Sequence, residues 1–228
     1  MNNAKTIVVC ILVFFTCALM PQAVRAEPYT TITNNGDSAN RLDIVILGDG
    51  YTSAEMGKYR SDAQSFVDYF FAQMPFSTYK NYINVHRIDV VSAESGANKP
   101  DAQPTPIVKN TALSATYNCD GKFQLICINE SAANNIVAAS VAANQGDLRV
   151  VIVNDTRYGG GGGRYAVAAT YSTPNPDTWY EALMHETGHT LGLLRDEYPN
   201  GTCNLSIVPT NAVNVTKNTA YLSIPWFY

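Results

Sequence analysis

The sequence HETGHTLGLLRDEY, residues 185–198, places two histidines four positions apart with a glutamate directly after the first. On a helix, such a pair is separated by about 40° in rotation and one turn in height, so both imidazoles can face one ion. The glutamate then lies beside the ion, where it can act as a general base on water. His185 and His189 are therefore candidate zinc ligands, and Glu186 is the candidate catalytic base.

The residues around this motif favour a buried helix. Apolar side chains recur at helical spacing at Leu183, Met184, Leu191 and Leu194, and Gly192 offers a place for the helix to stop. A five-residue zinc motif can also arise by coincidence on an amphipathic helix, so the motif alone is only moderately specific. Its helical context favours the metal site over that alternative.

A third metal ligand can be sought by elimination. The chain has three histidines, and the remaining one, His86, falls in a predicted strand far upstream, where a half-buried structural role is expected. After His189 the only carboxylates are Asp196 and Glu197. Asp196 is the first candidate and Glu197 the second. Cys203 is a distant third, because a thiolate suits a structural zinc site better than a hydrolytic one.

Helix geometry sets a condition on either carboxylate. On an uninterrupted helix Asp196 would lie about 10 Å along the axis from His189, which is too far to share an ion. If Gly192 ends the helix in a left-handed conformation, the chain folds back and a carboxylate a few residues later can reach the metal. The alternative for Asp196 is a structural contact with Arg195 or with the helix end.

The N-terminus has the pattern of a secretory signal peptide. Lys5 gives a basic start, residues 7–20 are apolar, and small residues lie at Val24 and Ala26. The apolar run is shorter than the roughly 18–20 residues that a membrane span requires. We expect a signal peptide over residues 1–26, cleavage after Ala26, no stable membrane span, and a secreted, periplasmic or cell-surface protein.

The mature chain would hold one domain over residues 27–228. Cleavage would remove Lys5 and Arg25 and no acidic residue, which changes the net charge from −4 to −6. No basic stripe is left, so nucleic acid is not expected as a partner. Three cysteines would remain, of which Cys119 and Cys127 can close a small disulfide loop in an exported protein, with Cys203 left over or pairing with one of them.

The remaining pattern alternates between strands and helices, which predicts an α/β fold. Residues 94–112, rich in proline, are expected to form a long loop. The predicted strands are 41–50, 82–92, 124–128 and 148–155, and the predicted helices are 54–74 with Ser53 as N-cap, 131–143, and one from Pro176-Asp177 through the zinc motif.

Several stretches together resemble the bacterial immunoglobulin-A metallopeptidase family, metallopeptidase family sixty-four. Besides the zinc motif, they are DIVILGDGYTSAEM (43–56), PFSTYKNYINVHRIDVVSAESG (75–96), VNDTRYGGGGG (153–163) and NVTKN (214–218). The resemblance implies a zinc endopeptidase with a metzincin-like zincin fold, a twisted mixed sheet with an active-site helix. By position it implies His185, His189 and Asp196 as ligands and Glu186 as base.

The resemblance also implies a longer chain. Chains of the family usually continue beyond the point where this one stops, and no methionine follows Met184 to form a methionine-containing turn beneath the metal. We therefore expect a chain that lacks part of its C-terminal region. The competing function is a truncated, inactive relative that binds peptide or glycoprotein without cutting it.

The segment YGGGGGRYAVAATYS, residues 158–172, is the candidate substrate-binding element. An extended peptide can add to a sheet edge as an extra strand, and the strand from Tyr165 to Tyr171 directly precedes the active-site helix. Gly162 and Gly163 would permit close approach of the substrate; a flexible surface loop is the alternative. Asp49 ends another strand, where α/β sites gather, although a tight turn in which it satisfies backbone groups is favoured there.

Overall fold

The computed structural model describes residues 26–172, 178–196 and 213–214. A mixed six-stranded sheet forms its centre, in the order β1-β3-β2-β4-β6-β5. The four middle strands are parallel to one another, and the two outer strands run antiparallel to their neighbours. The strands are β1 (Tyr29–Thr33), β2 (Leu42–Asp49), β3 (Ile83–Ile88), β4 (Leu148–Val153), β5 (Gly160–Gly161) and β6 (Ala166–Ala169).

The central strands are apolar on both faces because both faces are covered. Along β2, Ile44 and Ile46 point into one cluster of buried side chains, whereas Val45 and Leu47 point into a second cluster on the opposite face. β4 alternates in the same way. This is the pattern of a parallel sheet between two layers, and it explains why these strands lack alternating polarity.

In the described part of the chain, four α-helices flank the sheet: α1 (Met56–Ala72), α2 (Phe76–Tyr79), α3 (Glu130–Ser140) and α4 (Trp179–Gly192). Helices α1 and α4 contribute to the first cluster, and α3 contributes to the second. The mixed α/β class predicted from the sequence is confirmed. None of the helices in the described ranges has the length and apolar character that crossing a membrane requires.

Two local predictions are wrong. A 3-10 turn, Ser53–Glu55, leads directly into α1, and its N-cap is Thr52 rather than Ser53: the Glu55 carboxylate accepts hydrogen bonds from the Thr52 N–H and hydroxyl at 2.9 and 2.7 Å. Residues 124–128 form no strand and make only isolated bridges, from Leu125 to Gly160 and from Cys127 to Thr116. The segment changes partner within two residues, so no ladder can develop.

Asp49, at the end of β2, anchors the long loop to the sheet. Its buried carboxylate accepts hydrogen bonds from the N–H groups of Leu113 and Ala115, both at 2.8 Å, and from the Thr111 hydroxyl at 2.8 Å. The Ser92 hydroxyl donates a longer bond at 3.3 Å. Asp49 therefore satisfies backbone groups, as favoured from the sequence, although these groups lie more than sixty residues away rather than in a local turn.

A disulfide joins Cys119 and Cys127, with 5.8 Å between their Cα atoms, as predicted. Its loop carries the segment that borders β5: the Ile126 N–H donates to the Gly160 carbonyl at 2.9 Å, and the Gly160 N–H donates to the Gln124 carbonyl at 3.1 Å. Cys203 lies outside the described residues.

The glycine-rich segment differs from the expectation. The strand between Tyr165 and Tyr171 is not a sheet edge, because β6 pairs with β4 on one side and with β5 on the other. Two of the five glycines, Gly160 and Gly161, form the edge strand β5 instead of a flexible loop. The glycines occupy the edge because the chain reverses after them and places β6 antiparallel beside β5.

Candidate active site

Helix α4 carries the histidine motif on the side opposite to the core. A capping box at Thr178 and Glu181 fixes its first turn. Leu183 is completely buried, and the Thr187 hydroxyl donates to the Leu183 carbonyl at 2.9 Å. With this face held against the sheet, His185 lies exposed and His189 half-buried at the surface.

The chain turns back immediately after Gly192. The left-handed residue is Leu193, with φ 54° and ψ 26°, and Gly192 is still helical, so the expectation that Gly192 itself is left-handed is wrong. The reason lies in Leu194, whose N–H donates to the Gly188 carbonyl at 3.2 Å. A Cβ on Gly192 would lie 3.1 Å from Cγ of Leu194, and one on Gly188 would lie 3.4 Å from its Cδ1. The two glycines therefore leave room for Leu194 to fold back over the helix.

This reversal brings Asp196 to the two histidines. Oδ1 of Asp196 lies 3.0 Å from Nε2 of His185 and 3.1 Å from Nε2 of His189. The two Nε2 atoms are themselves 3.1 Å apart. The structure thus brings together all three residues predicted as ligands, in one group that could hold a metal ion. Glu197, the second candidate, lies outside the described residues.

The turn also orients His189. Its Nδ1 lies 2.6 Å from the Leu194 carbonyl oxygen, which can only accept a hydrogen bond. Nδ1 therefore carries a proton, and Nε2 is the atom that faces His185 and Asp196. A backbone acceptor behind a histidine is a common device for fixing the ring and tautomer of a metal ligand.

The Glu186 side chain lies between α4 and the glycine strand, a name that we use for β5 together with the two residues after it, Gly162 and Gly163. A Cβ on Gly160 would approach its Oε1 to 2.8 Å, and a Cβ on Gly162 would approach its Oε2 to 3.0 Å. This burial raises the pKa of the Glu186 carboxyl to about 7; His189 lowers it, and the negative charge of Asp196 raises it further. A carboxyl group with a pKa near neutrality can both accept and donate a proton.

A second backbone tie holds the segment that carries Asp196. The side-chain amide of Asn214 accepts a hydrogen bond from the Arg195 N–H at 2.9 Å and donates one to the Arg195 carbonyl at 2.8 Å. Asn214 belongs to the NVTKN stretch noted in the sequence, the rest of which lies outside the described residues.

The four residues predicted to bind substrate divide into two pairs. Gly162 and Gly163 are exposed beside the histidine motif. Tyr165 and Tyr171 are only 3 % and 4 % exposed, and their hydroxyls donate to the Asn134 side-chain oxygen and the Thr178 carbonyl. A substrate role stays a prediction for all four, and exposure favours the glycines.

His86 lies apart from this group. It is 2 % exposed, and its Nε2 lies 2.7 Å from Oδ1 of Asp43. Its other ring nitrogen lies 3.0 Å from the Thr31 hydroxyl. His86 is therefore a buried strand residue with two polar contacts, which is more buried than expected but consistent with a structural role.

Sequence reasoning missed three contributors to the site. Gly160 was not separated from its neighbours, because five consecutive glycines carry no pattern. The Leu194 carbonyl is a backbone group, so the identity of the residue gives no indication of its role. Asn214 had a signal only as part of a longer family-like stretch.

Comparison with known proteins identifies a family. The family model described as IgA Peptidase M64 matches residues 30–225, which is most of the chain. None of the curated proteins matches the sequence.

Proposed function

The chain belongs to the IgA Peptidase M64 family, a family of peptidases, and we propose that it is a zinc-dependent endopeptidase that cleaves protein or glycoprotein substrates. The observation that carries this proposal is the convergence of Nε2 of His185, Nε2 of His189 and Oδ1 of Asp196 within 3.1 Å of one another. Under this proposal the sheet and α4 form a metzincin-like zincin domain.

The donor set fits zinc. Two imidazole nitrogens and one carboxylate oxygen are three protein ligands, the number that leaves a catalytic zinc with an open position. Ligands at about 2.0–2.1 Å in a tetrahedron lie about 3.3 Å apart, close to the separations of 3.0 and 3.1 Å in this group. When bound, Zn²⁺ supplies Lewis acidity that polarises a peptide carbonyl and lowers the pKa of water to about 7.

The chain's own proton carrier is Glu186. Glu186 follows His185 directly in the sequence, and its half-buried carboxyl lies against the glycine strand. We assign it two steps: its carboxylate takes the proton of the attacking water, and the resulting acid gives that proton to the leaving amine. The net reaction is hydrolysis of one peptide bond.

The substrate would lie along the glycine strand. The Gly160 N–H donates to the Gln124 carbonyl and the Gly160 carbonyl accepts from the Ile126 N–H, so that part of the edge is covered. Gly162, two residues further along, is exposed and adjoins both Glu186 and His189. An extended peptide backbone paired beside Gly162 and Gly163 would bring its carbonyl to the ligand group.

We further propose that the protein is exported, with residues 1–26 removed as a signal peptide and residues 27–228 forming one catalytic domain. The N-terminal pattern supports this, although residues 1–25 lie outside the described part of the structure. The Cys119–Cys127 disulfide also supports it, because disulfides persist in oxidising compartments.

The test is metal analysis combined with cleavage of a broad peptide library. The purified protein should hold one zinc per chain, and removal of zinc by a chelator should abolish cleavage until zinc is restored. Glu186→Gln should keep its zinc and lose cleavage, whereas Glu130→Gln, which changes an exposed glutamate on α3, should match the parent. A protein that holds no stoichiometric zinc, or a Glu186→Gln variant that cleaves normally, would refute the proposal. Zinc and peptide binding without cleavage in the parent would favour the non-catalytic alternative.

A further inference from the structure

The residue that presents Asp196 is fixed by a distant side chain. Both polar atoms of the Asn214 side chain bond to Arg195. Oδ1 accepts a hydrogen bond from the Arg195 N–H at 2.9 Å, and Nδ2 donates one to the Arg195 carbonyl at 2.8 Å. The Arg195 carbonyl belongs to the peptide group that joins Arg195 to Asp196. Two bonds to one residue restrict both its position and its rotation, which a single bond does not.

The segment needs such a restraint because little else holds it. Residues 193–196 are all exposed, and they follow the last helical residue. Besides the contacts of the Asp196 carboxylate with the two histidines, the ties within the described residues join the Leu193 and Leu194 N–H groups to the Gly188 carbonyl and the Leu194 carbonyl to His189. These backbone ties act on Leu193 and Leu194, and none of them acts on Arg195. Exposed segments with few buried contacts open readily, and a metal ligand on such a segment would have to be ordered each time the metal binds.

We propose that Asn214 is a positioning residue that holds Asp196 ready to bind the metal. It acts through the Arg195 backbone and is not itself a ligand. This inference rests on the proposed zinc site. It adds that zinc affinity depends on Asn214, which lies nineteen positions after Arg195 in the sequence.

An amide is required at this position. Asparagine offers one acceptor and one donor side by side, which matches the N–H and carbonyl of a single residue. Aspartate has nearly the same shape but offers only acceptors when ionised, so one carboxylate oxygen would face the Arg195 carbonyl. Asn214→Asp therefore keeps the volume and removes the match.

The experiment measures zinc affinity by competition with a chromophoric chelator. We expect Asn214→Asp and Asn214→Ala to weaken zinc binding by about 10–100-fold, the range found when groups that orient metal ligands are removed. Asn81→Asp, which makes the same chemical change at an exposed asparagine, should leave the affinity unchanged. Thermal unfolding of the metal-free variants reports whether the substitution damages the fold itself.

A double-mutant cycle separates positioning from general destabilisation. In an Asp196→Ala background the carboxylate is absent, so Asn214→Asp should change zinc affinity by less than about twofold if it acts through Asp196. Equal losses in both backgrounds, or unchanged affinity in the Asn214→Asp single variant, would overturn the inference. Failure of the parent protein to bind zinc would instead refute the proposed function, so the two failures are distinguishable.

Discussion

Nδ1 of His189 lies 2.6 Å from the carbonyl oxygen of Leu194, a residue beyond the end of the same helix. This bond closes the chain reversal onto the active-site helix and fixes the nitrogen with which His189 faces Asp196. The turn is therefore part of the candidate metal site, because it both delivers the third ligand and orients the second.

The left-handed residue in this turn offers a direct test. Leu193→Pro cannot adopt φ 54°, since proline fixes φ near −65°, so the reversal should be lost and zinc affinity should fall by more than about 100-fold. Leu193→Gly is the matched control. Glycine adopts a left-handed backbone conformation without strain, and Leu193 is 69 % exposed. The free energy of unfolding of Leu193→Gly should therefore equal that of the parent or exceed it by about 1 kcal/mol. Equilibrium zinc titration and thermal unfolding measure both effects, and normal zinc affinity in Leu193→Pro would show that the turn is dispensable.

The glycine strand should tolerate a methyl group at one position and not at another. A Cβ on Gly162 would lie 2.5 Å from Cβ of His189 and 3.0 Å from Oε2 of Glu186, so the strand or the helix must move. We expect Gly162→Ala to lower kcat/KM by about 100-fold, the scale of loss for a misplacement of about 1 Å. A Cβ on Gly163 would meet no protein atom within 4 Å, so Gly163→Ala should lower kcat/KM much less than Gly162→Ala, and only through contact with the substrate. Equal rates for the two variants would contradict the close packing of the strand on the helix.

The disulfide should contribute stability through the loop that borders this strand. Cys119 and Cys127 are eight residues apart, and closing a loop of that size stabilises a fold by about 2–3 kcal/mol. Replacing both cysteines by serine should lower the free energy of unfolding in urea by about that amount. Mild reduction should lower the free energy of unfolding of the parent protein by the same amount. It should not change that of the double variant, which has no disulfide to reduce. A double variant as stable as the parent would show that the loop is held by its hydrogen bonds alone.

The candidate ligand group could be predicted from the sequence because the chain has few histidines and few carboxylates near the motif. Spacing identified His185 and His189, and the scarcity of carboxylates after them left Asp196 and Glu197. The turn that makes Asp196 accessible could not be assigned to a residue in advance. It is set at Leu193 by the packing of Leu194 on the helix, which is a tertiary contact.

The fold shows the same division between local and distant information. Apolar runs predicted β2 and β4 well, since buried parallel strands carry their own signal. Strand order has no such signal, so the placement of β6 inside the sheet rather than at its edge was missed. Asn214 was missed for a related reason: it bonds to backbone nineteen residues away, and backbone groups are the same at every residue.

Asp49 should be the polar residue on which the long loop depends. Asp49→Ala would leave the N–H groups of Leu113 and Ala115 and the Thr111 hydroxyl buried without their acceptor. We expect a loss of about 3 kcal/mol or more in the free energy of unfolding. Asp49→Asn keeps one acceptor oxygen and should lose less, and Asp68→Asn, at an exposed site on α1, should lose almost nothing. Urea unfolding monitored by circular dichroism gives the free energy of unfolding of each of the three variants. An Asp49→Ala variant as stable as the parent would refute the anchoring role.

Glu55 should make stability depend on pH at the acid end. Burial raises the pKa of its carboxyl, but hydrogen bonds from the Thr52 N–H and hydroxyl, Ser95 and Asn154 outweigh this and lower the pKa to about 2. The folded protein therefore binds the proton less readily than the unfolded chain, whose glutamate pKa is about 4.3. The stabilisation is complete above that unfolded value and is lost as the pH falls toward about 2.

The measurement is the urea unfolding midpoint between pH 6 and pH 2. Glu55→Gln removes the ionisable group, so its difference from the parent should be largest near neutral pH and should shrink as the pH is lowered. Glu130→Gln, at an exposed glutamate, controls for the loss of one negative charge at the surface. A difference between parent and Glu55→Gln that stays constant across this range would mean that the four hydrogen bonds do not favour the ionised carboxylate.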